Sequence, residues 1–191
     1  MSAQVSLFTD HDAPSCVLSD DAGGPDGLGC YRYTLRIPLP PHARRRICLF
    51  VLANPSTARV IGGVFTPDPT VTRCIGYALV LGCGEVIVEN VRAWRETDPD
   101  KVPPDPLAIG PENDARIRES AFEADIVVCG WGKLGGARGL EVLRALREVC
   151  DPCALKLNGD GSPAHPLYLP DDARPFAMQM PNAADVGRVC G

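Results

Sequence analysis

Short apolar runs alternate with amphipathic segments along most of the chain. Three runs, ICLFVLA at 47–53, EVIVENV at 85–91 and DIVVCGW at 125–131, are rich in Val and Ile and are typical of strands buried on both faces. A weaker fourth run, CALKLN, covers 153–158. Ahead of them, CYRYTLRI at 30–37 alternates with period two, which predicts an edge or antiparallel strand.

Apolar residues recur at helical spacing between these runs. The pattern predicts helices over 68–81, over 111–123 and over 139–149. Strand, helix and strand repeated in this way predict right-handed crossovers and a parallel sheet with helices on both faces. We therefore expect an α/β fold: a three-layer α/β/α sandwich around a mainly parallel four-stranded sheet, with an N-terminal arm and an extra edge strand.

Composition is that of one globular domain. With 191 residues, of which 45% are hydrophobic and 23% charged, the chain is long enough to bury a sizeable core. No run reaches the roughly 18 to 20 apolar residues of a membrane span, and the first residues lack the pattern of a signal peptide. We expect a cytoplasmic monomer with no membrane association and no obligate protein partner.

The formal charge of −5 is unevenly distributed. Residues 1–29 contain five Asp and no Lys or Arg, which leaves 19 acids against 19 bases in residues 30–191. The first 29 residues are rich in Asp, Gly, Pro and Ser, and we expect an acidic, flexible or loosely packed arm with an optional local strand at 4–8. Residues 30–191 are expected to form the single domain, whose scattered arginines fit either a basic face or ordinary solvated charge.

The nine cysteines give no disulfide or metal pattern. Cys48, Cys74 and Cys129 lie in apolar runs, where buried reduced thiols are usual. Cys150 and Cys153 form a C-x-x-C pair without a second pair of ligands, so we expect no metal and no cofactor. A redox role for this pair is an alternative, which is disfavoured because the pair follows a helix instead of opening one.

Polar or aromatic residues follow each predicted strand. Asn54 and Ser56 follow the first run, Asn90 lies near the end of the second, and Trp131 stands between two glycines at the end of the third. His165 follows the loop after the fourth run. Because ligands bind beyond the carboxyl ends of the strands of an open parallel sheet, we expect these residues to share one site.

Each of these residues also has a purely structural interpretation. Asn54 and Ser56 are suited to cap the following turn, and Asn90 is suited to form a turn. Core packing explains Trp131 equally well, with the glycines allowing close approach. His165, in a loop before a proline, is less readily explained as a core residue.

In chain order, these motifs resemble those of the uracil-DNA glycosylase superfamily, and in particular its mismatch-specific branch. LANPSTA (52–58) is similar to the first motif, and VIVENVRAWRETDP (86–99) to the strand that ends in a base-reading Asn. VVCGWG (127–132) is similar to the strand that ends in Trp-Gly, and HPLYL (165–169) to the closing His-Pro loop. GGVFTPDPTVTRCIGYAL (62–79) is similar to the segment that supplies a base-stacking Phe.

The chain also resembles a bacterial family of unknown function. Members of that family carry the motifs NPSTA, DPT, GPxND and HPLYL, which lie here at 54–58, 68–70, 110–114 and 165–169. This second resemblance is the closer one, and it implies no activity.

The glycosylase resemblance implies hydrolysis of the N-glycosidic bond of a base flipped out of DNA, which leaves an abasic site. Asn54 stands where many uracil glycosylases have Asp, and Ser56 replaces a Gly, so we expect a modified or mispaired pyrimidine in place of plain uracil. The hypothesis extends to a modified cytosine of phage DNA, with antiviral defence as the role. The alternative is a non-catalytic module of the same fold that binds a nucleotide or a modified base.

The resemblance also implies roles for single residues, with DNA as the partner. Asn54 would orient the attacking water and His165 would donate to the departing base, while Asp68 is a second candidate for general base or, equally, a helix N-cap. Phe65 would stack on the base and Asn90 would read its polar edge. The remaining expected substrate contacts are Ser56, Trp131, Leu167 and Tyr168, with the last two, or Leu169, as the wedge that fills the gap in the base stack.

Overall fold

A sheet with helices on both faces forms the part of the chain that the structure describes. The computed structural model describes residues 13–19, 29–40, 46–61 and 64–179. The strands are β1 (Ser15–Leu18), β2 (Arg32–Pro38), β3 (Ile47–Leu52), β4 (Arg59–Ile61), β5 (Val64–Thr66), β6 (Glu85–Asn90), β7 (Ile126–Cys129), β8 (Cys153–Ala154) and β9 (Phe176–Ala177). The α-helices are α1 (Pro69–Val80), α2 (Asn113–Glu123) and α3 (Gly136–Arg147).

Four strands form the parallel centre of the sheet. β3 pairs in parallel with β6 on one side and with β7 on the other, and β7 pairs in parallel with β8. The expected strand count is wrong for the sheet as a whole, because β1, β2 and β9 extend it to seven strands by antiparallel pairing, in the order β1-β2-β6-β3-β7-β8-β9.

The expected edge strand lies inside the sheet. β2 is antiparallel, as its period-two pattern allowed, but it lies between β6 and β1. β1 belongs to the segment that we expected to be an arm, and its four residues pair with β2 and form the edge. The optional strand at 4–8 lies outside the described residues.

The helices cover both faces of the sheet, as the alternating pattern predicted. α1 packs on one face through residues that include Val71, Cys74 and Tyr77. α2 and α3 pack on the opposite face through residues that include Ile117 and Leu143. The sheet is therefore the middle layer of three. None of the helices in the described residues combines the length and the apolar composition that a membrane crossing requires.

The order of the parallel strands sets the position of the site. The chain leaves β3 toward β6 on one side, and it leaves β7 toward β8 on the other. The direction of the crossovers therefore changes between β3 and β7. In open α/β sheets the crevice outside the carboxyl ends of the strands at such a point is the usual place for a ligand.

One carboxylate is buried within the sheet. Glu89 on β6 is fully buried, and its Oε1 accepts hydrogen bonds from Thr34 Oγ1 at 2.8 Å and from Ser120 Oγ at 2.7 Å. Its Oε2 has no hydrogen-bond partner within the described ranges. Burial raises the pKa of Glu89 to about 7, and the hydrogen bonds from Ser120 and Thr34 oppose this shift only in part.

Glu89→Gln is expected to stabilise the protein at alkaline pH. The folded-state pKa of Glu89 lies above its ordinary value of 4.5, so its contribution to stability is complete below pH 4.5 and is lost as the pH rises through about 7. A shift of this size corresponds to about 3 kcal/mol. Urea unfolding of the wild type and of Glu89→Gln is measured at pH 4.5, 6 and 8. The free energy of unfolding of the variant should exceed that of the wild type by an amount that grows over this range.

Glu85→Gln is the matched control for this measurement. Glu85 lies on the same strand but is partly exposed and accepts a hydrogen bond from Arg36 at 2.7 Å. Its replacement should give no alkaline gain in stability. An advantage of Glu89→Gln that is equal at all three pH values would show that Glu89 does not titrate in the folded protein as described.

Candidate functional site

A cavity of about 430 Å³ lies at the carboxyl ends of the parallel strands. Its volume is in the range of sites for small ligands. Its walls come from the ends of β3 and β6, the segment after β7, the first turn of α1 and the short 3-10 turn Pro166–Tyr168. Eight of the nine residues expected at the site line it: Asn54, Ser56, Asp68, Asn90, Trp131, His165, Leu167 and Tyr168.

Asn90 places an unpaired amide in the cavity wall. The residue is 1% exposed, and neither Nδ2 nor Oδ1 has a hydrogen-bond partner in the part of the chain that the structure describes. Leaving a buried polar group unpaired costs roughly 1–3 kcal/mol. Asn90 therefore offers one donor group and one acceptor to whatever enters the cavity.

The backbone at the end of β6 is held in place from two helices. Asn113 Nδ2, at the start of α2, donates to the Asn90 carbonyl at 2.9 Å and to the Val91 carbonyl at 3.2 Å. Arg138 Nε, on α3, donates to the Val91 carbonyl at 3.0 Å. These bonds hold the backbone of Asn90 in position before any ligand arrives.

Asn54 bridges two loops at the cavity wall. Its Nδ2 donates to the Glu96 carbonyl at 2.6 Å and to the Pro55 carbonyl at 3.4 Å. A turn cap would require Oδ1 to accept from a backbone N–H, and no described residue forms that bond. Nδ2 is thus occupied as a donor. Oδ1, the only acceptor of the Asn54 side chain, remains for a hydrogen bond from a water or a ligand.

His165 presents a neutral imidazole. Its Nδ1 accepts from the Leu167 N–H at 3.4 Å, so the proton of the neutral ring is assigned to Nε2. Burial lowers the pKa of His165 below its ordinary value of 6.5, against the opposing effect of the Asp68 carboxylate. The ring is therefore uncharged at pH 7 and has an Nε2–H group available as a donor.

Asp68 is the N-cap of α1. Its Oδ1 accepts from the Val71 N–H at 2.8 Å, and its Oδ2 accepts from the Ala58 N–H at 3.3 Å. Pro69 occupies the first turn of the helix. Both carboxylate oxygens are thus bound to backbone, which accounts for this residue without a role as general base.

Trp131 belongs both to the cavity wall and to the core. The side chain is 2% exposed and packs with the residues under α2 and α3. A Cβ atom at Gly139 would lie 2.5 Å from Trp131 Nε1, and one at Gly135 would come even closer to the indole. The Trp131 ring therefore requires glycine at these two positions of the following segment, whether or not it also contacts a ligand.

The other expected residues differ in how far they reach the cavity. Phe65 lies on β5, does not line the cavity and packs partly buried against the core under α1. Tyr168 is 82% exposed at the mouth, whereas Leu169 is buried in the core. Ser162 does not line the cavity, and its hydroxyl is bound within its own loop, where it donates to Asp160 and accepts from Asn158.

Arg32 also lines the cavity, and the sequence pattern did not identify it. The sequence contained one signal, because Arg32 lies in a strand next to the predicted core. The period-two alternation of that strand, however, predicts that Arg32 lies on its polar face.

The Cys-x-x-C pair shows no sign of reactivity, because burial raises the pKa of Cys150 to about 11 and raises that of Cys153 as well.

Comparison with known proteins identifies the family of the chain. No curated protein and no solved structure matches it. Residues 32–167 match the model of a family described as a protein of unknown function, DUF1643, and this segment runs from Arg32 to Leu167 and carries most of the cavity wall. Because the match covers more than half of the 191 residues, the chain belongs to the DUF1643 family.

Proposed function

We propose that the protein is a DNA glycosylase that hydrolyses the N-glycosidic bond of a modified or mispaired pyrimidine flipped out of DNA. The buried, unpaired amide of Asn90 carries this proposal. An Asn side chain offers a donor and an acceptor side by side, which complements the donor and acceptor on the edge of a pyrimidine. The cost of leaving this amide unpaired is offset when such an edge is bound.

The two candidate catalytic residues would act on different parts of the reaction. Negative charge develops on the departing base, and the neutral Nε2–H of His165 would donate to an oxygen of that base. Asn54 Oδ1 would accept a hydrogen bond from a water and hold it for attack on the sugar. The water oxygen would bond to the sugar carbon as the bond from that carbon to the base breaks, and the proton that the water loses would end on the released base anion. The two residues line the same cavity from different segments.

The cavity is large enough for a modified base. An unmodified pyrimidine base has eight or nine non-hydrogen atoms. If each atom takes no more than the volume of one water in the liquid, about 30 Å³, the base fills less than about 270 Å³. The cavity of about 430 Å³ has room for a substituent or for part of the sugar. A modified cytosine of phage DNA fits this description, with antiviral defence as the role.

A panel of DNA substrates tests the proposal. The purified protein is incubated with DNA that carries uracil, mismatched thymine, hydroxymethylcytosine or glucosylated cytosine, and abasic sites are measured by alkaline cleavage. We expect abasic sites with one member of the panel. Asn54→Ala should release that base at least about 10-fold more slowly, because the attacking water loses its acceptor.

Thr57→Ala is the matched control for Asn54→Ala. Thr57 is an exposed residue of the same loop and does not line the cavity. Wild-type rates in both variants would remove Asn54 from the mechanism. Abasic sites in none of the DNAs, with a folded protein, would exclude the glycosylase for these bases.

The second candidate function is a non-catalytic module that binds a nucleotide or a modified base. It is favoured by the formally neutral charge of residues 30–191, because proteins that bind the DNA backbone usually carry a cationic excess. Arg92, beside the cavity, is already bound by both carboxylate oxygens of Asp105. Affinity for duplex DNA that falls steeply with salt supports the glycosylase, and salt-independent binding of a free nucleotide supports the module.

A further inference from the structure

Arg32 is a buried cation that has no carboxylate partner among the described residues. The residue is 3% exposed and lines the cavity. Its Nη1 donates to the Ala58 carbonyl at 2.6 Å, whereas its buried Nε has no partner and its Nη2 forms no hydrogen bond with the described residues. No carboxylate in the described ranges forms an ion pair with it. Buried charges in proteins are normally paired, so an unpaired guanidinium in a cavity wall points to a ligand.

A β-bulge directs Arg32 into the cavity. Val17 pairs with Thr34, but the next residue, Leu18, pairs with Arg32, so Tyr33 is extra on β2. Without this shift, alternation would place Arg32 on the same face as Thr34, under α2. Bulges are frequent next to active sites, where they change the direction of a side chain.

The two carboxylates that act on Arg32 through space are bound to other groups. Asp68 and Glu89 both act on Arg32 through space, together with Cys16 and a second cation, Arg95. Both oxygens of Asp68 are bound to backbone N–H groups, and Glu89 is bound by two hydroxyls. Burial lowers the pKa of Arg32 below its ordinary value, against the opposing effects of Cys16, Asp68 and Glu89.

We propose that Arg32 binds an anionic group of the ligand, so that the cavity selects a pyrimidine compound with a carboxylate or a phosphate over its neutral analogue. The choice of a pyrimidine rests on the proposed function. Ala58 joins the two charged residues of this wall, since its N–H donates to Asp68 and its carbonyl accepts from Arg32. The anion would bind to Nε and Nη2, the edge of the guanidinium that has no other partner.

Calorimetry with two pairs of probes tests this inference. Uracil is compared with uracil-5-carboxylate, and uridine with uridine 5′-monophosphate. A hydrogen bond to a charged group contributes roughly 1.5–3 kcal/mol, so the anionic member of one pair should bind about 10- to 100-fold more tightly. Preference within the first pair assigns the anion to the base, and preference within the second assigns it to the phosphate.

Arg32→Gln should remove that preference, so that the ratio of the two affinities within the pair falls to about 1. Arg36→Gln is the matched control, because it removes one positive charge from the same strand, where Arg36 pairs with Glu85 and Glu123 outside the cavity. Arg32→Lys keeps the charge and should keep part of the preference, which provides a second test if the Gln variant does not fold.

The outcomes separate this inference from the proposed function. Equal binding of anionic and neutral probes to the wild-type protein, or a preference that survives in Arg32→Gln, overturns the inference. An anion preference that depends on Arg32, without base release from any DNA, supports the inference while the glycosylase proposal fails. Base release without an anion preference supports the glycosylase proposal and overturns the inference about Arg32.

Discussion

Asn90→Leu is expected to stabilise the unliganded protein and at the same time to destroy recognition of the ligand. Leu has nearly the same shape as Asn and removes two buried polar atoms that have no partner. The free energy of unfolding should rise by about 1–3 kcal/mol. Base release, or binding of a pyrimidine ligand, should fall at least about 100-fold, because the polar edge of the ligand would then be buried without partners.

Asn113→Leu is the matched control for this experiment. Asn113 is also a fully buried Asn, but its Nδ2 donates to two carbonyl groups at the end of β6. Its replacement should lower the stability of the protein, in contrast to the gain expected for Asn90→Leu. Urea unfolding separates the two variants. A loss of stability in Asn90→Leu with unchanged ligand binding would show that Asn90 has a structural role only.

The position of Asn90 was predictable because it depends on chain order and strand direction. Asn54, Asn90 and Trp131 follow separate apolar runs, and parallel strands bring their carboxyl ends to one edge of the sheet. The N-cap interpretation of Asp68 was equally local, since it required only an Asp before a Pro and a helical pattern. Local rules of this kind were sufficient to group these residues before any contact was known.

Arg32 and β1 were not predictable from the same rules. Whether Arg32 points into the cavity depends on a one-residue shift between β1 and β2, and no pattern within β2 records that shift. β1 itself has only four residues in a segment of turn-forming composition, and its pairing with β2 is a long-range contact. Features that depend on how two distant segments pair are lost when each segment is interpreted by itself.

Glu89 is an intermediate case. The sequence contains a carboxylate inside the apolar run EVIVENV, and a buried polar group of this kind requires partners. Its partners, Thr34 and Ser120, lie 55 and 31 residues away along the chain. The sequence could therefore indicate that the group is unusual, but only the fold shows that two hydroxyls bind the same oxygen and leave the other one unpaired.

His165→Ala is expected to slow base release about 100- to 1000-fold. Removing one preorganised donor from a developing anion has an effect of this size in other enzymes. His165→Gln, which keeps an N–H donor on a side chain of similar reach, should restore part of the rate. Single-turnover base release, measured with saturating protein, separates this effect on the chemical step from any change in DNA affinity.

The acidity of the leaving base distinguishes a chemical role of His165 from a structural one. A 5-fluoro substituent makes a pyrimidine a better leaving anion, so less stabilisation by a donor is needed. The loss caused by His165→Ala should therefore shrink for the fluorinated substrate if Nε2–H acts on the departing base. A variant that has only lost the weak bond between Nδ1 and the Leu167 N–H, and with it the shape of the loop, should be slowed equally on both substrates. Equal losses on the two substrates would thus show that His165 only maintains the shape of its loop and does not donate to the departing base.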